Sequence, residues 1–253
     1  MNYGISHIYH YYQNCDEFGI TSAVPDGCVD IYFDKGSDGL LAKVCGTVLK
    51  RTNINNQREH EYFGIRFMPG VIPANLNINM KDLINKELEL ADVIKDSDII
   101  KKMEETKDWQ QCISLLIQEH ILYLYRAGKR QDSEQKRLLK YFIEIMISSM
   151  GSIKIKELSE KTGYSARYVN MIFDQYLGFS PKTFEKIIQL QNSINIINHH
   201  QSENLTQIGM DAGYFDQAHF IREFKKQMSM TPAEYRKLVR EHSYLQRMSV
   251  EMC

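Results

Sequence analysis

Apolar and polar positions change rhythm once along this chain. Over about the first 80 residues they alternate in short runs separated by turn signals. His7–Tyr12 is aromatic and branched, and Val24-Pro25-Asp26-Gly27 is a turn signal. In Cys28–Asp34, Val29, Ile31 and Phe33 point one way and Asp30 and Tyr32 the other, the period of a half-buried strand. Lys35-Gly36-Ser37-Asp38-Gly39 is a second turn, and Leu41–Leu49 and Glu61–Met68 are further strands. Short strands at this spacing predict an antiparallel barrel or sandwich.

Beyond residue 80 the period becomes helical. Asp96-Ser97 and Lys107-Asp108 are helix starts. Trp109, Cys112, Ile113, Leu116, Ile117, Ile121 and Leu124 form one stripe, which fits either packing on its own domain or pairing with a second copy. Ala127–Ser133 is short, polar and contains Gly128, a linker signal. No alternating pattern follows it. The expected fold class is α+β, with an N-terminal antiparallel β-barrel plus helices over 1–130. An all-α domain follows over 133–240.

The helical half repeats itself. Leu158–Ser165 matches Ile208–Asp216, Phe173 recurs as Phe224, Ser180-Pro181 as Thr231-Pro232, and Phe184 as Tyr235. The offset is 50 residues up to the Gly-Tyr pair and 51 after it, so one residue is inserted in the second turn. In each copy a short helix ends at Gly163 or Gly213, where glycine accepts the positive φ of a helix C-terminus. An N-cap, Ser165 or Asp216, then starts a new helix. Val169 and Phe173, or Phe220 and Phe224, pin that helix at i, i+4. Helix, tight turn and second helix is the geometry that places a helix in the DNA major groove.

The faces opposite those pins carry Ala166, Arg167, Asn170, Met171 and Asp174 in the first unit. In the second they carry Gln217, Ala218, Ile221, Arg222 and Lys225. Arg reads guanine with two donors, Asn and Gln pair with adenine, and Met, Ala and Ile suit thymine methyls. His219 fits a phosphate donor or a packed, capping imidazole equally. Asp174 is misplaced near phosphates and calls for a lysine partner. Lys182–Asn198 is a helical rod of about 25 Å, near the ~34 Å of one DNA turn.

Gly163-Tyr164-Ser165-Ala166-Arg167-Tyr168, Gly178-Phe179-Ser180-Pro181, Ala212–Lys225 and Met230–Arg236 resemble the AraC/XylS family of bacterial transcription regulators. The resemblance covers about residues 135–240. It implies a seven-helix DNA-binding domain with two helix-turn-helix units on a long helix. It assigns DNA contacts to Arg167, Asn170, Met171, Gln217, Ala218, His219 and Arg222. Met171 stands where a polar residue is common, Ser229 where glycine is usual, and Ile187 and Gln189 where arginines are frequent. Fewer phosphate contacts are expected from the linker helix. Pro25–Phe33 and Phe63–Gly70 are similar to N-terminal, cupin-like domains of some members, which bind effectors or dimerise.

Composition narrows the function classes. With 43% hydrophobic and 25% charged residues the 253-residue chain is globular, and no apolar run reaches the ~18–20 residues of a membrane span. Cys15, Cys28, Cys45, Cys112 and Cys253 lack disulfide or zinc spacing, as in a reduced cytoplasmic protein. Residues 1–134 carry 15 basic against 20 acidic side chains, and the remainder 16 against 12, which suits a nucleic-acid partner for the back half. His7 and His10 fall on opposite strand faces, His60-Glu61 stands alone, and no HxH, GxSxG or P-loop is present. No metal, cofactor or enzyme activity is therefore expected, a catalytic barrel being the weaker alternative. Asp30 and Arg66 fit either an effector-binding pocket or a pair facing each other. The expected partners are promoter DNA, RNA polymerase, a small effector and a second copy of the chain. A constitutive DNA-binding protein with a ligand-free front half is the alternative.

Overall fold

The computed structural model describes residues 4–13, 21–54, 56–71, 73, 76–94, 98–106, 108–128, 134–200 and 202–241. The strands are β1 (Ile5–Tyr12), β2 (Thr21–Ala23), β3 (Val29–Gly36), β4 (Gly39–Cys45), β5 (Thr52–Ile54), β6 (Glu61–Phe67) and β7 (Glu87–Glu89). The helices of the front half are α1 (Met80–Leu83), α2 (Leu90–Val93), α3 (Asp98–Glu105) and α4 (Trp109–Gly128). Those of the back half are α5 (Glu134–Ser148), α6 (Ile155–Thr162), α7 (Ala166–Leu177), α8 (Pro181–His199), α9 (Leu205–Asp211), α10 (Gln217–Met228) and α11 (Pro232–Glu241). The fold is mixed α and β, and the described strands all lie in the front half. Five strands form an antiparallel sheet ordered β1-β6-β3-β4-β7, and β2 pairs separately with β5. Among the described residues the sheet has two edges and does not close.

The alternation in β3 explains the front core. Val29, Ile31 and Phe33 are buried, and the register sets them beside Phe67, Ile65 and Phe63 of β6. The Phe33 and Phe63 rings stack at 4.8 Å. Met103 of α3 and Cys112, Ile113 and Leu116 of α4 cover this face. Cys112, Ile113 and Leu116 of the α4 stripe are thus buried on its own sheet, and Trp109 and Ile117 are partly buried against it. The side chains of Ile121 and Leu124, and residues 129–133 of the expected linker, lie outside the described residues. Among the described residues no helix is long and apolar enough to cross a membrane.

The back half has two cores on one rod. Phe184, Ile187 and Ile188 of α8 pack with α5, α6 and α7, whereas Leu190, Ile194 and Ile197 pack with α9, α10 and α11. Gln189 sits between, donating to the carbonyls of Gly151 at 3.1 Å and Gly213 at 2.8 Å, which ties both units to the rod. The buried Glu185 accepts from Lys154 at 2.7 Å and Lys182 at 2.8 Å. Ile187 and Gln189 are both buried, so neither side chain is presented to solvent for a phosphate contact.

The front half rests on this framework. Val24 joins the second core, and Leu49 and Ile84 pack against the first. The buried Gln191 side chain donates to the Pro25 carbonyl at 2.5 Å, and Arg51 N–H donates to the Gln227 carbonyl at 2.6 Å. A Cβ on Gly178, which has φ +80°, would lie 2.8 Å from the Lys81 nitrogen, so the α7–α8 turn meets α1 at backbone distance.

Two stability outcomes follow. Gln191→Ala leaves the Pro25 carbonyl buried without its donor and should cost about 1–3 kcal/mol in urea unfolding. Ser229 caps α10 in the left-handed region at φ 62°. Ser229→Gly relieves that and should raise stability by about 0.5–1 kcal/mol, read as a higher melting temperature.

Candidate nucleic-acid interface

Each helix-turn-helix unit is built by local capping. α6 ends at Gly163 with φ 76°, and Ser165 Oγ accepts from Tyr168 N to start α7. α9 ends at Ala212, Gly213 turns the chain at φ 86°, and Asp216 Oδ1 accepts from His219 N at 2.7 Å to start α10. Val169, Phe173, Phe220 and Phe224 are each 0% exposed, so both helices are pinned on the faces the repeat predicts. The second capping signal also repeats: Ser180 precedes Pro181 at the start of α8, and Thr231 precedes Pro232 at the start of α11. Thr231 N–H and Oγ donate to Glu234 Oε2, which holds the Glu234 carboxyl below its ordinary pKa.

The outward faces are presented as the sequence suggests. Arg167, Asn170, Met171, Gln217, Ala218, Arg222 and Lys225 are exposed, and Ala166 and His219 are half-buried. Asn170 Nδ2 donates back to the Ala166 carbonyl at 2.8 Å, so its amide must turn before it can meet a base. His219 plays the capping part. Its Nδ1 accepts the Phe215 N–H at 3.4 Å, and its ring meets Tyr214 edge-on. A neutral ring bonded in that way carries its proton on Nε2, leaving a donor. Asp174 pairs with Lys81 of α1, so the acidic group on the α7 face is neutralised from the front half.

Two features escaped the sequence reading. Phe215 is 89% exposed, at the tip of the second turn. It is the inserted residue that changes the repeat offset, the one signal that marked it. Lys81 had no local signal, because only the tertiary docking of α1 sets it beside α7.

Asp30 and Arg66 meet, in register, across β3 and β6. Arg66 Nε and Nη2 donate to the two Asp30 oxygens at 2.8 and 2.7 Å, and Nη1 donates to Asp26 Oδ2 at 2.9 Å. The other Asp26 oxygen accepts the Cys28 N–H at 2.9 Å. Burial pushes the Asp26 carboxyl up, and Arg66 opposes that shift. Arg66 and Asp30 keep some accessible surface, on the sheet face opposite the apolar core. Of the other histidine candidates, His10 stacks on Trp109 at 4.3 Å and meets Glu61 at 2.8 Å, whereas His60 meets Asp34. Among the described residues no three His, Cys, Asp or Glu side chains gather as a metal site.

The thiols beside this cluster should be inert. Burial, then Asp26, raises the Cys28 thiol well above its ordinary value, and burial, then Asp30, pushes Cys45 up to about 12. Alkylation needs the thiolate. Iodoacetamide at pH 8 should label both slowly in the folded protein and rapidly in urea, as mapped by peptide mass.

Two family models match this chain. Residues 158–238 match a helix-turn-helix domain, and residues 5–89 match a domain of unknown function, DUF6597. An uncharacterized HTH-type transcriptional regulator of Haemophilus influenzae is 30% identical over 106 residues, which are 42% of this chain and 35% of that protein. The probable transcription factor PqrA of Proteus vulgaris is 27% identical over 99 residues, 39% of this chain and 80% of that one. A crystallised AraC-type transcriptional regulator from Chromobacterium violaceum aligns at TM-score 0.37 and 22% identity, over 44% of this chain and 93% of its own. The chain thus spans about a third of the Haemophilus protein's length. From the matched segment and the Gly-Tyr, Phe and Thr-Pro residues placed in two capped units, residues 158–238 of this chain are an AraC-type helix-turn-helix domain.

Proposed function

We propose that this protein is a sequence-specific, DNA-binding transcription regulator of the cytoplasm, controlled by its front half through a small effector or a second copy. One observation carries the DNA-binding part. Two capped helices, α7 and α10, are pinned to a common 19-residue rod and present polar and basic outer faces. The rod is about 28 Å long, close to the ~34 Å between successive major grooves on one side of a duplex. Arg167, Asn170, Gln217 and Arg222 read base edges, Met171 and Ala218 meet thymine methyls, and Lys225 and His219 hold phosphate. The chain divides into a front domain over 1–130, cupin-like in plan, and a DNA-binding domain over 133–240. Control by the front half is supported by its contacts with both units: Lys81 on α7, Arg51 on α10 and Pro25 on α8.

Selection of bound duplexes by the full-length protein should enrich a motif with two elements about one helical turn apart. Arg222→Ala should weaken binding to that motif by about 1–3 kcal/mol and relax one base preference. Lys225→Ala should weaken all sequences alike and reduce the salt slope by about one. No enrichment from folded protein would overturn the reading. Unchanged binding by Arg222→Ala would remove that residue from the interface.

A further inference from the structure

The sheet face opposite the apolar core is organised in rungs. The register sets Arg66 between His7 and Asp30, Gly64 between Tyr9 and Tyr32, and Tyr62 between Tyr11 and Asp34. The middle rung has no side chain at its centre, and Tyr9 leans into that gap. A Cβ added to Gly64 would lie 2.6 Å from the Tyr9 hydroxyl end. Tyr9 stacks on Tyr11 at 6.4 Å, and Tyr11 on Tyr62 at 5.2 Å, so a row of ring faces lines β1. Tyr32 is anchored by donating to Glu87 Oε2 at 3.0 Å.

Charge on this face is unbalanced. One guanidinium, Arg66, holds two carboxylates, Asp26 and Asp30. Both Asp26 oxygens accept N–H donors, as an ionised carboxylate does. Lys43 offsets Glu87 at 3.6 Å, and His60 meets Asp34. With His7 and His60 neutral, the four carboxylates Asp26, Asp30, Asp34 and Glu87 outnumber the two cations Arg66 and Lys43 on this face. Tyr9, Tyr32, Asp30 and Arg66 all retain solvent-accessible surface, although they lie on strands whose other face is sealed. Burial, then Asp30, raises the Tyr9 hydroxyl well above its ordinary pKa, so that end of the ring is enclosed beside the carboxylates.

We propose that this face, with Tyr9 and Tyr32 flanking Gly64 and Asp30 beside them, is the effector site and takes a small organic cation, an amine or quaternary ammonium. The proposal rests on the regulator reading above and gives its effector a chemical class. Ring faces beside a surplus carboxylate attract a cation by their quadrupole and by direct charge. An anion meets an arginine already matched by two carboxylates, and a neutral ligand gains nothing from the excess charge.

The test is thermal unfolding of the full-length protein with choline, benzyltrimethylammonium and agmatine. 3,3-Dimethylbutan-1-ol serves as choline's uncharged isostere, and benzoate as the anion. A ligand that binds only the folded state raises its melting temperature. At least one cation should raise it by several degrees at millimolar concentration, and neither the isostere nor benzoate should. Tyr9→Leu keeps apolar bulk and removes the ring, and should abolish the shift. Should that variant not fold, Tyr11→Leu, whose ring is more exposed, should reduce it. No shift with any cation, or an equal shift with the isostere, overturns the proposal. DNA binding by the same preparation separates the two readings. Bound DNA without a cation shift sinks only the effector class, whereas a cation shift without DNA binding sinks the regulator reading.

Discussion

Everything in the back half depends on one helix that belongs to two cores. An apolar stripe on one face would have served a single core, but α8 buries Phe184 and Ile188 in one unit and Leu190 and Ile194 in the other. The polar side chains between them are buried too, and each is held: Glu185 by two lysines, Gln189 by two carbonyls and Gln191 by Pro25. A buried polar group without a partner is costly, so these bonds fix the rotation of the rod as well as its position. The spacing of the two outer helices is then a property of one rigid element.

The front half adds a second constraint. Val24, Leu49 and Ile84 fill edges of the two back-half cores, and Gly70 brings its loop against Ile143 and Leu139. Cut after the strands and their helices, the back half would carry an apolar seam along α5 and α8. The two halves differ in sequence character and in charge, yet they share buried surface.

Much of this was legible along the chain. Period-two alternation located β3 and β6, and the repeat located both helix-turn-helix units and their N-caps, because capping and i, i+4 pinning are local. The apolar run Leu41–Leu49 suggests a strand as far as Leu49, whereas β4 ends at Cys45 and the chain leaves the sheet for the back half. The short β2, β5 and β7 were not legible: three residues carry too little alternation to announce a strand. Sheet closure was beyond the pattern as well, since strand spacing specifies neither order nor edges. Asp174's need for a lysine was readable, but Lys81 as the answer was not, because that pair forms across 93 positions of chain. Asp30 and Arg66 left two readings open, and the register makes them partners.

The loop Pro25-Asp26-Gly27 has little freedom to yield. Its proline fixes one dihedral, and Gly27 holds φ at +79° against Phe184. Asp26 reaches inward to Arg66, while the carbonyl just before it is gripped by Gln191 on the rod. Such a loop behaves as a lever without slack. The Asp26 carboxylate therefore stands one peptide unit from the helix that spaces the outer faces of α7 and α10, the shortest path in the fold between the sheet's polar face and that rod.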